Sequence, residues 1–354
     1  MNISLVKSRV AVAPFRDQNA FSGKIITLAM VSSVVVLINI LVKPSRFADY
    51  DSYLQFTDFL YYFSNFSWLY FEPISSSMLF YLRVITDNTE KAVDISHYVL
   101  SAMFISLNYL ILTKRQVYWQ GYVVFVAFYG ALLAFVTFRA TPAYLLVTIA
   151  LLYALEGRKL SFFYIIFAIL FHISSLLAVP IFISIFFQSK FDFMKNFNMK
   201  YLVLIIGLIS TSSLFISNSF SLIVVDLLEQ IPFFSKYLAY TSNVNLITGA
   251  TIGNKEDGFF HTIYAIVISI FSSAMLLSKN KNCVRFRTAV LIGYLTFAFM
   301  QFSPVTAYRQ SIFWMAPSLL IYNWQKLYIG RYGALPFLAL SIALAAYQFQ
   351  NIYS

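Results

Sequence analysis

Charge is scarce in this chain: 11 % of its 354 residues are Asp, Glu, Lys or Arg, and 60 % are hydrophobic. Soluble domains carry about 25 % charged residues, so water is excluded as the main solvent of this fold. Cysteine is scarcer still, with Cys283 alone. One cysteine cannot close an intramolecular disulfide, and no Cys/His cluster has the spacing of metal ligands. Neither covalent staples nor a metal or other cofactor is therefore expected. The chain also lacks low-complexity tracts, a soluble domain and the internal repeat that marks inverted-repeat transporters. It reads as one all-α domain, 1–354.

What it has in quantity is aromatic residues, 38 Phe and 25 Tyr among them, and long apolar runs. Tyr concentrates where helices meet lipid headgroups, so many helix ends at an interface are expected. A bilayer core of ~30 Å takes about 20 helical residues. Runs at 25–42, 93–112, 117–138, 140–155, 201–217, 259–278, 288–301, 310–325 and 332–349 come close to that requirement. The net charge of +11 lies in short basic stretches between these runs, which makes it a topology signal rather than a nucleic-acid surface. Ahead of the first run stand Lys7, Arg9, Arg16 and Lys24, with no cleavage site after it, so that run is expected to stay as the first span.

One run, 160–188, is too long. As a single helix it would extend ~43 Å, and His172 and Pro180 interrupt it. Two short helices meeting near 172–175 would return the chain to the side it came from. With that break, seventeen of the 25 Lys and Arg fall on one, inner, side; without it the balance reverses, against the positive-inside rule. The sequence therefore predicts an all-α polytopic integral membrane protein with about ten or eleven transmembrane helices, two of them short around His172. Most of the 14 carboxylates then lie outside. Two outer segments, 43–92 and 218–258, are rich in aromatic residues and are expected to form interfacial helices along the outer leaflet.

Candidate chemistry gathers on that outer side. Arg139 separates two apolar runs, where a central Arg costs roughly 2.5 to 3.5 kcal/mol. Either it marks a loop and snorkels to the headgroups, or it binds an anion. Thr141-Pro142 after it suits a helix start whose N–H groups could face the same anion. Arg309, near the outer end of a later span, would complete a clamp, because guanidinium groups present fixed, always-charged donors to phosphate oxygens. His172, flanked by Phe171 and Ser174-Ser175, has an ordinary pKa of about 6.5 that suits a general base; the plain alternative is a buried histidine bonded to a nearby carbonyl. His97 and His261 each read as anchors opening a helix at the interface. Asp49, Asp51, Tyr53 and Glu72, with Lys236 and Tyr240 in the second outer segment, interleave charge and aromatic rings as sugar sites do. A solvated loop and a helix-initiating Glu would look the same.

Three stretches together resemble the EpsG-type group of Wzy polysaccharide polymerases. They are Asp49-Tyr50-Asp51-Ser52-Tyr53 followed by Glu72-Pro73, then Phe138-Arg139-Ala140-Thr141-Pro142-Ala143, then Ala168-Ile169-Leu170-Phe171-His172-Ile173-Ser174-Ser175-Leu176 followed by Pro180. Tyr308-Arg309-Gln310 is similar to a late arginine of the same group. The likeness rests on motifs over residues 45–185 and on hydropathy elsewhere, and it departs at Ala140, where the group often has Gln.

The resemblance implies a metal-independent glycosyltransferase of the bacterial inner membrane, acting on its outer face. The growing glycan would pass from undecaprenyl diphosphate to the non-reducing-end hydroxyl of a lipid-linked repeat unit. Arg139 and Arg309 would hold the diphosphate, while His172 or an outer carboxylate takes the acceptor proton. The implied partners are the undecaprenyl-diphosphate-linked oligosaccharide, membrane lipids and a chain-length regulator protein, with no nucleic acid. O antigen, capsule and exopolysaccharide all stay open as products. The rival readings are a lipid-linked oligosaccharide flippase or transporter and an O-antigen ligase. A membrane acyltransferase would want a His paired with Asp or Asn in one helix, which His172 lacks.

Overall fold

A computed structural model describes residues 18–47, 50–62, 72–137, 139–187, 198, 201–203, 205, 207–209, 255–300, 304–324 and 343. Among these residues every regular element is helical. Helix α1 (Gln18–Leu41) leads through a 3-10 turn (Pro44–Arg46) to α2 (Tyr50–Tyr62), α3 (Pro73–Thr86) and α4 (Thr89–Leu112). Helix α5 starts at Trp119–Phe125 and continues as two π-helical stretches, Val126–Gly130 and Leu132–Val136. Then come α6 (Thr141–Leu155), α7 (Leu160–Phe171), α8 (Val179–Phe186), α9 (Lys255–Leu277), α10 (Lys281–Phe299) and α11 (Pro304–Ile321).

A helix that is apolar all round must be covered all round. Helix α6 meets that condition: almost every residue in it is buried, and α4, α7, α8, α10 and α11 pack against it. Helices α6 and α11 run parallel. Tyr144 lies on Phe313 with ring centroids 4.9 Å apart. At the far ends, Gln116 donates to the Leu152 carbonyl at 2.8 Å and the Tyr118 N–H to the Leu320 carbonyl at 2.9 Å. One loop thus touches both C-terminal ends, so both N-terminal ends point the other way.

The long run breaks at His172. Its backbone is extended (φ −153°, ψ 120°) between α7 and a 3-10 turn over Ile173–Ala178. Pro180 falls in the first turn of α8, where a missing N–H costs nothing. Phe162 near the start of α7 meets Phe186 at the end of α8 edge-on, 4.6 Å apart. The two short helices therefore fold back as a hairpin, with the ends remote from the break together, as the charge pattern predicts.

The ends of the bundle differ. At one, Lys24 donates to the carbonyls of Leu112 (3.1 Å) and Lys114 (2.9 Å), and the Lys114 ammonium sits over the Tyr153 ring. At the other, α2, α3 and the start of α4 close around a small second core of Tyr50, Tyr53, Leu60, Leu79, Val93 and Leu100. Among the described residues two helices are long and apolar enough to cross a bilayer, Ser22–Leu41 within α1 and Thr89–Leu112, while Thr141–Leu155, Leu160–Phe171, Ile173–Phe186 and Ile263–Leu277 are shorter apolar helices. Helix α1 turns Ile25, Ile26, Met30, Leu37, Ile40 and Leu41 outward, an apolar patch that water would penalise.

Apolar runs place some helix starts too late, because capping residues and first turns are polar. Helix α4 begins at Thr89 rather than 93, since the Asn88 side chain accepts the Lys91 N–H at 2.9 Å. Helix α10 begins at Lys281 rather than 288, capped by Asn280. Helix α11 begins at Pro304 rather than 310, so Arg309 lies inside its second turn. His97 does not open a helix: it is buried two turns into α4, 2.8 Å from Asn39 Oδ1 and stacked on Phe47. All of the run at 332–349 but residue 343, and nearly all of segment 218–258, lie outside the described residues.

Candidate functional site

Glu72 occupies the N-cap of α3 with φ 91° and ψ 71°. A left-handed backbone costs a non-glycine residue about 1 to 3 kcal/mol and persists only where the surroundings hold it. A residue before proline also favours extended backbone, and Pro73 follows. Two bonds hold this turn: the Glu72 carbonyl accepts the Ser76 N–H at 2.9 Å, and the Ser75 hydroxyl donates to the Phe171 carbonyl at 2.6 Å. The second joins α3 to the end of α7, one residue before His172.

The result is a buried charged triplet. Glu72 Oε1 lies 3.1 Å from His172 Nε2, and Glu72 Oε2 lies 3.2 Å from Arg139 Nε. The carboxylate is 7 % exposed and its partners about a fifth exposed, 21 % for His172 and 20 % for Arg139. Burial pushes the Glu72 carboxyl up to about 7, although the Arg139 charge pulls it the other way. Desolvation outweighs the ion pair here. On its other face the Arg139 guanidinium covers the rings of Phe56 (4.3 Å) and Tyr53 (5.4 Å) from α2, within cation–π range.

Arg139 arrives from an irregular backbone. The Thr137 N–H bonds back to the Leu132 carbonyl, a π-type step, and ends α5. Such segments are frequent at functional sites. Thr141-Pro142 does start a helix, as predicted. The N–H groups of Ala140 and Thr141, however, are turned back into the chain: both bond the Thr137 carbonyl at 2.9 Å, and Pro142 has none.

Arg309 comes from α11, which packs on the 3-10 turn after His172. Its charge and that of Arg139 both reach the His172 ring. A buried hydroxyl chain fastens this part of α11: Tyr129 OH to Tyr264 OH (2.9 Å), then to Ser311 Oγ (2.6 Å), which donates to the Tyr308 carbonyl. The second turn of α11 is thereby tied to α9 and to the first π segment of α5.

Among the predicted site residues, the fold thus gathers Glu72, Arg139, His172 and Tyr53 in one place, with Arg309 in electrostatic reach. Asp51 is apart: it is exposed on α2, on a different face from Tyr53. Asp49, Lys236, Tyr240 and the side chain of His261 lie outside the described residues. Phe56, Ser75 and the direct pairing of Ser174 with His172 were not anticipated. Phe56 follows Tyr53 by three residues, the spacing of one helix face, and could have been found that way. Ser75 left no signal, since its partner is 96 positions away.

No curated protein and no solved structure matches this chain. A family model does, over nearly the whole length, residues 25–354, and the chain belongs to the EpsG family, which is tied to polysaccharide biosynthesis.

Proposed function

We propose that this protein is a Wzy-type polymerase that joins lipid-linked oligosaccharide repeat units on the outer face of the bacterial inner membrane, with α2 and α3 as interfacial helices and the remaining helices as a multi-pass bundle. The observation that carries the reading is the buried triplet Arg139–Glu72–His172, with the Arg309 charge in reach of the His172 ring. A guanidinium and a base in contact, with a second guanidinium in electrostatic reach, match the two demands of this glycosyl transfer. The acceptor hydroxyl oxygen attacks the anomeric carbon of the donor glycan. The bond from that carbon to the phosphate oxygen breaks, and undecaprenyl diphosphate leaves with the electron pair. Arg139 and Arg309 hold the diphosphate and stabilise the charge that grows on it. The hydroxyl proton passes to a side-chain base, Glu72 or His172.

Arg139 approaches Glu72 with its Nε, and its Nη groups carry four further N–H bonds suited to phosphate oxygens. The half-buried Phe56 ring beside it is suited to a sugar face, and Tyr53, Asp49, Asp51, Lys236 and Tyr240 are the other proposed sugar contacts. The test is deletion of the gene in its host, electrophoresis of the surface glycan, and complementation with the wild type and Arg139→Ala. Single repeats without long polymer, restored by the wild type only, are expected. Loss of every repeat from the surface would favour a flippase instead. Polymer that forms but stays off the lipid A core would favour a ligase.

A further inference from the structure

Resting on the polymerase reading, we propose that Glu72 takes the acceptor proton and that His172 is a positioning residue, locked by Ser174 as a hydrogen-bond donor to Glu72. The lock is legible in which atoms can donate. The Ser174 backbone N–H lies 3.2 Å from His172 Nδ1, and the Ser174 hydroxyl oxygen 2.6 Å from the same nitrogen. A backbone N–H only donates, so Nδ1 holds the lone pair. In the neutral ring the proton is then on Nε2, which faces Glu72 Oε1 at 3.1 Å. Neither ring nitrogen is left to accept a proton from a hydroxyl. The helix break itself builds this arrangement, because His172 caps the 3-10 turn through that Nδ1 bond.

Glu72 is placed differently. Its Oε1 lies 3.1 Å from His172 Nε2, while Oε2 is fully buried and accepts no hydrogen bond among the described residues, with Arg139 Nε 3.2 Å away. Oε2 therefore has a lone pair that the acceptor hydroxyl reaches once Arg139 is drawn toward the diphosphate, on a carboxylate that burial raises to about 7. A base near neutral serves best at neutral pH. The titratable and charged groups around it are Arg139 after α5 and His172, whose ring the Arg309 charge on α11 also reaches.

The same geometry orders the reaction. Arg139 lowers the basicity of Glu72, and a diphosphate drawing the guanidinium toward itself relieves that effect. Donor binding thus readies the base. When the new glycosidic bond forms, the hydroxyl proton goes to Oε2, and it returns to solvent when the lipid diphosphate departs.

Glutamine and asparagine separate the two roles of His172, since the amide nitrogen of Gln falls about where Nε2 lies and that of Asn about where Nδ1 lies. Inner-membrane vesicles would be prepared from the deletion host, carrying its own lipid-linked repeat units, with each variant at matched level and size-exclusion profile. His172→Gln should keep polymer formation within about tenfold of wild type, whereas His172→Asn and Glu72→Gln should lose about a hundredfold or more. The acid limb of the wild-type pH profile should survive in His172→Gln. Equal loss in both histidine variants, disappearance of that limb in His172→Gln, or a wild-type rate in Glu72→Gln would each overturn the assignment. If His172→Gln aggregates, Glu72→Gln decides by itself, since it exchanges one oxygen for nitrogen. Failure of the polymerase reading would look different: vesicles with the wild-type protein would make no more polymer than those from the deletion strain, and the assignment would go with it.

Discussion

The hydroxyl of Ser75 donates to the carbonyl of Phe171 across 2.6 Å, and that bond fastens the first turn of α3 to the last residue of α7. Glu72 stands three residues before the donor and His172 one residue after the acceptor. The Glu72–His172 contact therefore depends on two helix ends being held at fixed separation, in addition to its own 3.1 Å approach.

Ser75→Ala removes that bond and leaves a buried carbonyl unsatisfied. A cost of roughly 1 to 3 kcal/mol is expected, seen as a lower midpoint in thermal unfolding of the detergent-purified protein. Polymer formation should fall further than in a control of equal stability loss elsewhere, because Glu72 loses its placement. Equal losses in both would mean that Ser75 serves the fold alone.

That control is available at Gly293 and Gly121. A Cβ on Gly293 would lie 2.2 Å from the Trp314 ring, and one on Gly121 would lie 2.3 Å from the Leu319 carbonyl. Overpacking of this kind typically costs about 1 to 3 kcal/mol. Either alanine variant should unfold at lower temperature, and the surviving folded fraction should polymerise at the wild-type rate.

Arg139→Lys keeps a charge but loses the planar fork that pairs with two phosphate oxygens. It is expected to lose most of its polymer, close to the loss in Arg139→Ala, in the complemented deletion strain. Wild-type polymer length with lysine would mean that charge alone suffices and that bidentate phosphate binding is not the role of Arg139.

The pH dependence follows from Glu72. Its carboxyl, raised to about 7 by burial, must be ionised to accept a proton. Polymer formation in vesicles should therefore be flat above neutral and fall by about tenfold per pH unit below it. A half-point near 4.5, the ordinary value for this side chain, would mean that Glu72 is solvated during the reaction.

Tyr264→Phe cuts the hydroxyl chain between Tyr129 and Ser311. The expected stability loss is about 0.5 to 1.5 kcal/mol. Because Arg309 lies in the turn that this chain secures, the concentration of lipid-linked unit needed for half-maximal rate should rise. An unchanged value would separate the tyrosine chain from the placement of Arg309.

Much of this architecture was open to a reading of the residues in order. Helical class, the break at His172 and the return of the chain to the same end follow from hydropathy, the position of Pro180 and charge counting. These are properties of neighbours along the chain. The arginines and the histidine also announced themselves, as charge or titratable groups inside apolar runs, where an ion must find a partner. Which partner it finds is another matter.

Composition and periodicity thus determined that the chain is all-helical, suited to lipid contact, and equipped with Arg139, Arg309 and His172 at one end of its bundle. Only the tertiary structure decided that Glu72 stands between Arg139 and His172, that Ser75 holds it there, and that Ser174 sets which ring nitrogen faces the carboxylate. The reason is physical. Hydrophobic periodicity acts over a few residues and selects local elements, whereas these pairings join positions up to about a hundred residues apart and exist only after α3 has packed on the end of α7.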